Sequence, residues 1–490
     1  MLGVTYAGQR ASVRTSVRWL KTAETLLPRS KEPLAMPWAG PNPSGFPTTA
    51  LKAPMPPQPL SLSAPPAPLA DSLACVPVSA TLAVNDALAA RKQTGQPVLP
   101  FGFGEAGLPV HPMLRTELAA AAYHGEYGPV AGSAGLRAAA AGYWTRRGLP
   151  TSPHSVVAGP GSKALLYGLL LAIGSDVAVP RPSWVSYAAQ ARLTGLRARY
   201  VPPAAGHGGI CDPAGLARSV QESRAAGRPL RAVIVTLPDN PTGTLAAPAA
   251  VRQLCEVAAR HDLIIISDEI YRDLVHDAAA PYLSPAQVAP ERTVVTTALS
   301  KSLALGGWRL GVARLPAGEL GDSLRDRLLG VGSEIWSAPA APVQHAAAVA
   351  FSEPEPIRER IAQSRALHAA VARAVAGICA GAGLRVPAPQ ASFYVYPDFE
   401  PWRGWLRSRG LRTGPELARH LIARYGLGTL PASAFGESED VLRFRMATAM
   451  IYGDTDAERE AALTASDPLS SPAIAAALAR LTEILADLGP

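Results

Sequence analysis

Lysine is almost missing from this 490-residue chain. Lys21, Lys31, Lys52, Lys92, Lys163 and Lys301 are its only lysines among 46 basic residues. A sequence that writes positive charge as arginine has little use for lysine as a mere cation, so the position of each lysine carries information. Cysteine is as scarce: Cys75, Cys211, Cys255 and Cys379 are far apart and form no CxxC pair. That excludes a disulfide frame or a cysteine zinc site and suits reduced core residues in a cytosolic protein. No apolar run reaches the length of a membrane span. The formal charge is +8, but residues 1–70 hold seven basic residues against two acidic ones, leaving the body too weakly charged to bind nucleic acid on electrostatic grounds. With 48% hydrophobic and 17% charged residues the chain has the balance of a globular body, long enough for two to three domains.

Residues 1–70 are rich in Pro, Ser, Ala and Arg and predict a disordered Pro/Arg-rich tail. Arg10, Arg14 and Arg18, with no acid before Glu24, superficially suit a transit peptide. The Ala/Arg/Gly/Pro bias instead suggests a GC-rich bacterial genome, so a tail on a cytoplasmic bacterial protein is preferred. No helix-turn-helix pattern is visible.

From about Leu73 the chain becomes regular. Apolar runs at Ser155–Ala158, Asp176–Val179, Arg231–Thr236, Leu263–Ile266 and Thr293–Thr297 read as buried strands, each followed by a helical pattern. That alternation predicts an α/β fold with a mostly parallel, seven-stranded-type sheet between helices. After Pro354 the pattern changes to helices and alternating strands at Ser392–Tyr396 and Val441–Ala447, a smaller α+β domain. The expected division is an arm over 71–112, a large domain over 113–352 and a small domain over 353–490. An insertion at Ile451–Ser470 has no functional reading.

Each buried strand ends in a polar cluster, and the carboxyl edge of such a sheet is where ligands bind. Gly161-Ser162-Lys163 opens a helix, presenting free backbone N–H groups that suit phosphate, although the P-loop spacing is missing. Asp268 ends a strand apolar enough to put its carboxylate in low dielectric, where it needs a cationic partner. Asn240 and Tyr271 offer hydrogen bonds to a ring oxygen, Trp184 a stacking face, and Arg309 a phosphate clamp. Lys301 follows the strand Thr293–Thr297, and a lysine, unlike arginine, can lose its proton and attack a carbonyl. Taken singly, each has an ordinary explanation: Asn240-Pro241-Thr242-Gly243 is a good turn, Asp268 a helix cap, Trp184 a core residue and Lys301 a snorkelling strand-end lysine. Together they match an aldehyde carrying an aromatic nitrogen ring, a ring oxygen and a phosphate.

These motifs resemble those of the fold-type I pyridoxal-phosphate enzymes, in the class I/II aminotransferase family, in the style of its aspartate and aromatic aminotransferases. The similarity runs from about Val98 to Ala447. It rests on the order Asn240-Pro241-Thr242-Gly243, Asp268 with Tyr271, Ser300-Lys301 and Gly307-Trp308-Arg309-Leu310-Gly311. The resemblance implies pyridoxal 5′-phosphate held as a Schiff base on Lys301, which also shuttles the proton. It gives Asp268 the pyridinium nitrogen, Asn240 and Tyr271 the phenolic oxygen, and Trp184 the ring face. Gly161, Ser162, Lys163, Ser300 and Arg309 surround the phosphate, and Tyr127 reaches that of a neighbouring subunit in a homodimer with shared sites. Gly104, Trp184, Asn240 and Arg443 meet the substrate, Arg443 by its α-carboxylate.

The implied activity moves an amino group from an L-amino acid to a 2-oxo acid. No metal, membrane or nucleic acid is implied. Two departures stand out. The hydroxyl often found three residues before the lysine is Ala298 here, with Thr297 or Ser300 as substitutes. Arg445, on the same strand face as Arg443, stands where a small residue is usual and is either a reader of a second acidic group or a surface arginine. The same residues also suit a lyase, a decarboxylase or an oxidase; a non-catalytic sensor of the cofactor adduct is the reading from outside enzymology.

Overall fold

The computed structural model describes residue 76 and residues 78–490 except Ala205. The tail expected over residues 1–70, its transit-peptide alternative and Cys75 lie outside the described residues. Seven strands form one sheet, in the spatial order Val156–Gly159, Gly311–Arg314, Thr293–Ala298, Ile264–Asp268, Leu230–Thr236, Asp176–Pro180 and Ala198–Val201. The last five run parallel, while Gly311–Arg314 is antiparallel to both of its neighbours. The fold is thus the expected α/β class, with one reversed strand that the sequence reading did not distinguish.

Alternation explains why the strands are apolar throughout. Val177, Val179, Ala232, Ile234 and Ile266 enter one core, covered by the helices Ser162–Ile173 and Glu319–Ile335. Ala178, Val233, Val235 and Ile265 enter another, under Pro213–Ala225 and Pro248–Arg260. Each fully buried Val or Ile contributes about 1.5–3 kcal/mol, so neither face tolerates polar residues in mid-strand. They collect instead at the carboxyl ends. There the register aligns Thr236 with Asp268, and Asp268 with Thr296, on adjacent strands.

A third core joins Leu99, Phe101, Ala106 and Leu108 to the long helix Glu355–Gly381 and the closing helix Pro472–Leu488. Beside it Leu430–Pro431, Phe444–Ala447 and Tyr394–Val395 form an antiparallel sheet. The last two are shorter than the expected strands. Ser392, at φ 59°, turns the chain just before one of them. Arg443 precedes the other, in an isolated bridge to Asp398. The insertion holds the helix Asp456–Thr464, capped reciprocally by Thr455 and Glu458. Its Glu460 accepts two 2.8 Å hydrogen bonds from Arg360, whose other nitrogen donates to the Pro109 carbonyl at 2.6 Å. The insertion therefore ties the crossing segment before the sheet to the C-terminal core. No helix among the described residues is long and apolar enough to cross a membrane.

Candidate active site

The sheet's carboxyl edge opens into a cavity of about 600 Å³, and most of the expected residues line it: Gly104, Ser162, Lys163, Trp184, Asn240, Asp268, Tyr271, Ser300, Lys301 and Arg309. Lys301 gets there because the strand Thr293–Ala298 passes directly into the one-turn helix Leu299–Ser302. Its Nζ donates to the Gly104 carbonyl oxygen. Burial pushes the ammonium down to about 8, helped by repulsion from Arg445 and Arg309 and opposed by Glu105 and Asp268. About a tenth of this amine is therefore uncharged at pH 7, against less than about a thousandth for a free lysine, and the neutral form is the nucleophile.

Asp268 is 3% exposed and pairs with no basic side chain among the described residues. Its Oδ2 accepts from the Tyr187 hydroxyl at 2.8 Å and its Oδ1 from Thr296 Oγ1 at 3.3 Å. Burial raises the carboxyl to about 6, against the pull of those hydrogen bonds. Tyr187 lies three residues beyond Trp184 and meets it edge-on, with ring centroids 5.2 Å apart. The helix Ser186–Leu193 thus supplies the donor that orients Asp268, and the residues just before it supply the cavity's flat wall.

Asn240 and Tyr271 converge as expected. Asn240 Nδ2 lies 3.4 Å from the Tyr271 hydroxyl, and Tyr271 shares a 2.8 Å hydrogen bond with Tyr394. The turn carrying Asn240 needs its glycine: Gly243 has φ 69°, and a Cβ there would run into the Tyr394 carbonyl.

Phosphate-sized space is built by close backbone approach. Gly161, at φ 86°, precedes the helix Ser162–Ile173, and a Cβ on it would overlap the Arg309 guanidinium. A Cβ on Gly311 would overlap the Ser162 amide. First-turn amides of a helix have no intrahelical acceptor, and they carry the positive end of its dipole. Arg309 is steadied over them by the Gly306 carbonyl at 2.8 Å and the Pro160 carbonyl at 3.3 Å. Of the two hydroxyls offered as substitutes for the one missing at Ala298, Ser300 lines this cavity. Thr297 faces a separate small cavity beside Tyr143 and Asp273.

One expectation is corrected. Arg443 does not line the cavity; its Nη1 lies 3.1 Å from Glu437 Oε1 and its Nε 3.9 Å from Asp398 Oδ2. Arg445 takes the inward place, 2% exposed, donating to Asn240 Oδ1 at 3.2 Å and the Gly102 carbonyl at 2.9 Å. The two share a strand face, but two residues displace a side chain by about 6.6 Å. That step puts Arg443 at the sheet's outer end, where Glu437 and Asp398 capture it. Arg445 has no carboxylate partner among the described residues; its guanidinium carbon lies 4.8 Å from the Tyr394 ring centroid. Tyr127 is also outside this chain's cavity and 92% exposed.

Sequence reasoning missed Tyr187, Thr236, Thr296 and Tyr394, as well as Ser79 and Thr81, which reach the cavity mouth from the start of the helix Ala80–Gln93. The threonines could have been found from strand register alone. The tyrosines depended on tertiary packing.

The donor set fits pyridoxal 5′-phosphate: a depressed amine, a buried carboxylate lacking a cation, a glycine-formed anion cradle and a flat indole wall. No cluster of His, Cys, Asp or Glu among the described residues is arranged to hold a metal ion. Residues 108–457 match the family "Aminotransferase class I and II". An aspartate aminotransferase of Geobacillus stearothermophilus is 30% identical over 392 residues, 78% of this chain and 95% of that one. A probable aspartate/prephenate aminotransferase of Thermus aquaticus is 30% identical over 330 residues, 66% of this chain and 83% of that one. Among solved structures, the aspartate aminotransferase of Thermus thermophilus with maleate superposes with a TM-score of 0.72 at 24% identity, covering 85% of this chain and 100% of that one. At that identity the likeness speaks for the fold, and the sequence matches carry the family. The chain belongs to the class I and II aminotransferases, enzymes that use pyridoxal 5′-phosphate to move amino groups between amino acids and 2-oxo acids.

Proposed function

We propose that the amino donor is a dicarboxylic amino acid of the aspartate type, a class also named for the two sequence relatives above. The observation that carries this is the number and spread of cations in one cavity: Arg309, Arg445 and Lys163. Arg309 faces the anion cradle and takes the cofactor's phosphate. Arg445 lies beside Asn240, and its planar fork takes the α-carboxylate. Lys163 is then left over. It makes no ion pair among the described residues, and its Nζ stands 5.2 Å from the Trp184 ring centroid. Burial, then Arg309, lowers its pKa, so an incoming carboxylate would relieve both effects. Ser79 and Thr81 line the same cavity and offer hydroxyl donors to that second carboxylate.

In this reading Lys301 binds the cofactor and moves the proton at the substrate Cα. Asp268 holds the ring nitrogen, Asn240 and Tyr271 hold the ring oxygen, and Trp184 orients the ring. When bound, the cofactor supplies the electron sink that makes Cα acidic. Ser162, Lys163 through its amide, Ser300 and Arg309 fix the phosphate, and Gly104 leaves room for substrate. The exposed Tyr127 supports a homodimer in which this tyrosine completes the phosphate site of the other copy; a monomer in solution would remove that element. The shared core of Leu99–Leu108 with the two long C-terminal helices supports grouping residues 71–112 with 353–490, apart from 113–352. Three buried free cysteines suit a cytoplasmic setting.

Three variants test the substrate assignment. Lys163→Gln keeps the backbone amide but loses the charge. It should lower kcat/KM for aspartate by about 10–100-fold, the worth of one charge-assisted hydrogen bond, while changing neutral donors less than about threefold. Equal losses for all donors, or a wild-type preference for neutral ones, would sink the dicarboxylic reading. Arg445→Ala should raise KM for every donor by about 100-fold, because all share the α-carboxylate. Arg443→Ala should leave KM within about threefold, since Glu437 and Asp398 hold this arginine outside the cavity. Reversed effects would restore Arg443 to the carboxylate.

A further inference from the structure

Tyr394 touches both Tyr271 and Arg445 beside the expected ring oxygen, yet the reading above gives it no role. Its hydroxyl is 2.8 Å from that of Tyr271, and its ring faces the Arg445 guanidinium. A Cβ at Gly104 would collide with the same hydroxyl, so the glycine leaves room for it. Either hydroxyl of the Tyr271–Tyr394 pair can donate, and the surroundings favour one direction. Asn240 Oδ1 accepts from Arg445, which turns its Nδ2 toward Tyr271. Burial raises both phenols, Tyr271 further than Tyr394, and the Arg445 guanidinium over the Tyr394 ring favours Tyr394 as the donor. A phenol oxygen has two acceptor sites and one proton. With both acceptor sites of Tyr271 facing donors, its own proton is left for the cavity.

We propose that Tyr394 is a positioning residue that donates to the Tyr271 oxygen and so strengthens the hydrogen bond Tyr271 gives to the cofactor's phenolic oxygen. The inference rests on the assignment of Tyr271 to that oxygen. Hydrogen bonds in series polarise one another, and a phenol that accepts one donates a better one. A stronger donor favours the phenolate, which lowers the proton affinity of the nitrogen joining Lys301 to the cofactor. The charged groups facing Lys301 are Arg445, Glu105, Arg309 and Asp268, and all persist when only the Tyr394 hydroxyl is removed.

The test is a spectrophotometric pH titration of the visible band of the loaded protein, without substrate. In Tyr394→Phe, which keeps the ring on Arg445, the midpoint should rise by about 0.5–1 unit, the worth of one neutral hydrogen bond. In a Tyr271→Phe background the same substitution should move it by less than about 0.2 unit, because the relay is already cut. Equal shifts in both backgrounds would mean that Tyr394 acts by packing alone, and an unmoved or lowered midpoint in the single variant would equally overturn the proposal. A wild-type protein with no visible band would instead defeat the underlying assignment of Lys301.

Discussion

Replacing Lys301 with alanine should lower transamination by at least about 10⁴-fold and remove the visible absorption expected when pyridoxal 5′-phosphate is added to the wild-type protein. Two functions vanish together: the amine that bonds the cofactor and the base that carries the Cα proton. General acid–base catalysis alone is worth about 10²–10⁴-fold. Lys301→Arg should be as inactive, because a guanidinium does not deprotonate in a protein. Lys163, the other lysine lining the cavity, does not stand in: it sits over Trp184, whereas Lys301 Nζ touches Gly104. The pH dependence has a definite sign. Burial lowers the Lys301 amine from 10.5 to about 8, and only the neutral amine attacks. Covalent capture of the cofactor should therefore quicken about tenfold per pH unit on approaching pH 8 and level off above it. A free lysine would keep accelerating past pH 10. Stopped-flow absorbance on cofactor-free protein separates the two, and a visible band surviving in Lys301→Ala would refute the assignment.

What could be read from the sequence follows from which forces are local. The buried strands announced themselves as unbroken apolar runs because both sheet faces are covered, so Leu230–Thr236 and Ile264–Asp268 appeared within two residues of their observed bounds. Lys301, Asp268, Asn240 and Arg309 were legible as cavity residues for the same reason: each stands at or just beyond the end of a strand or turn whose direction the pattern already fixes. The inward arginine was not. Arg443 and Arg445 have identical parity, and nothing in alternation tells which one the neighbouring carboxylates Glu437 and Asp398 will claim. Tyr394 was hidden in a different way. It belongs to an apolar strand, and only the meeting of that strand with Tyr271, Gly104 and Arg445 gives its hydroxyl an address.

The Asp268 carboxylate makes the second large prediction, and its environment sets the terms. Asp268→Asn preserves the shape and can still engage Tyr187 and Thr296, but it removes the charge. Electrostatic groups aimed at a reacting centre are worth about 10²–10³-fold in kcat, and the loss here should lie near the upper end because the carboxylate is only 3% exposed. Cofactor affinity should weaken less than about tenfold, since Arg309 and the first-turn amides hold the phosphate independently of the ring. The pH behaviour separates charge from packing. In the cofactor-free site burial holds this carboxyl at about 6, so below that pH it takes up a proton and loses its attraction for a protonated ring nitrogen. Wild-type affinity for the cofactor should fall as pH drops through 6. The phosphate itself gains a proton near pH 6 as well, but that contribution is common to both proteins. The difference between wild type and Asp268→Asn therefore isolates the carboxylate. A constant ratio of affinities from pH 5 to 8 would show that Asp268 serves the fold and not the ring.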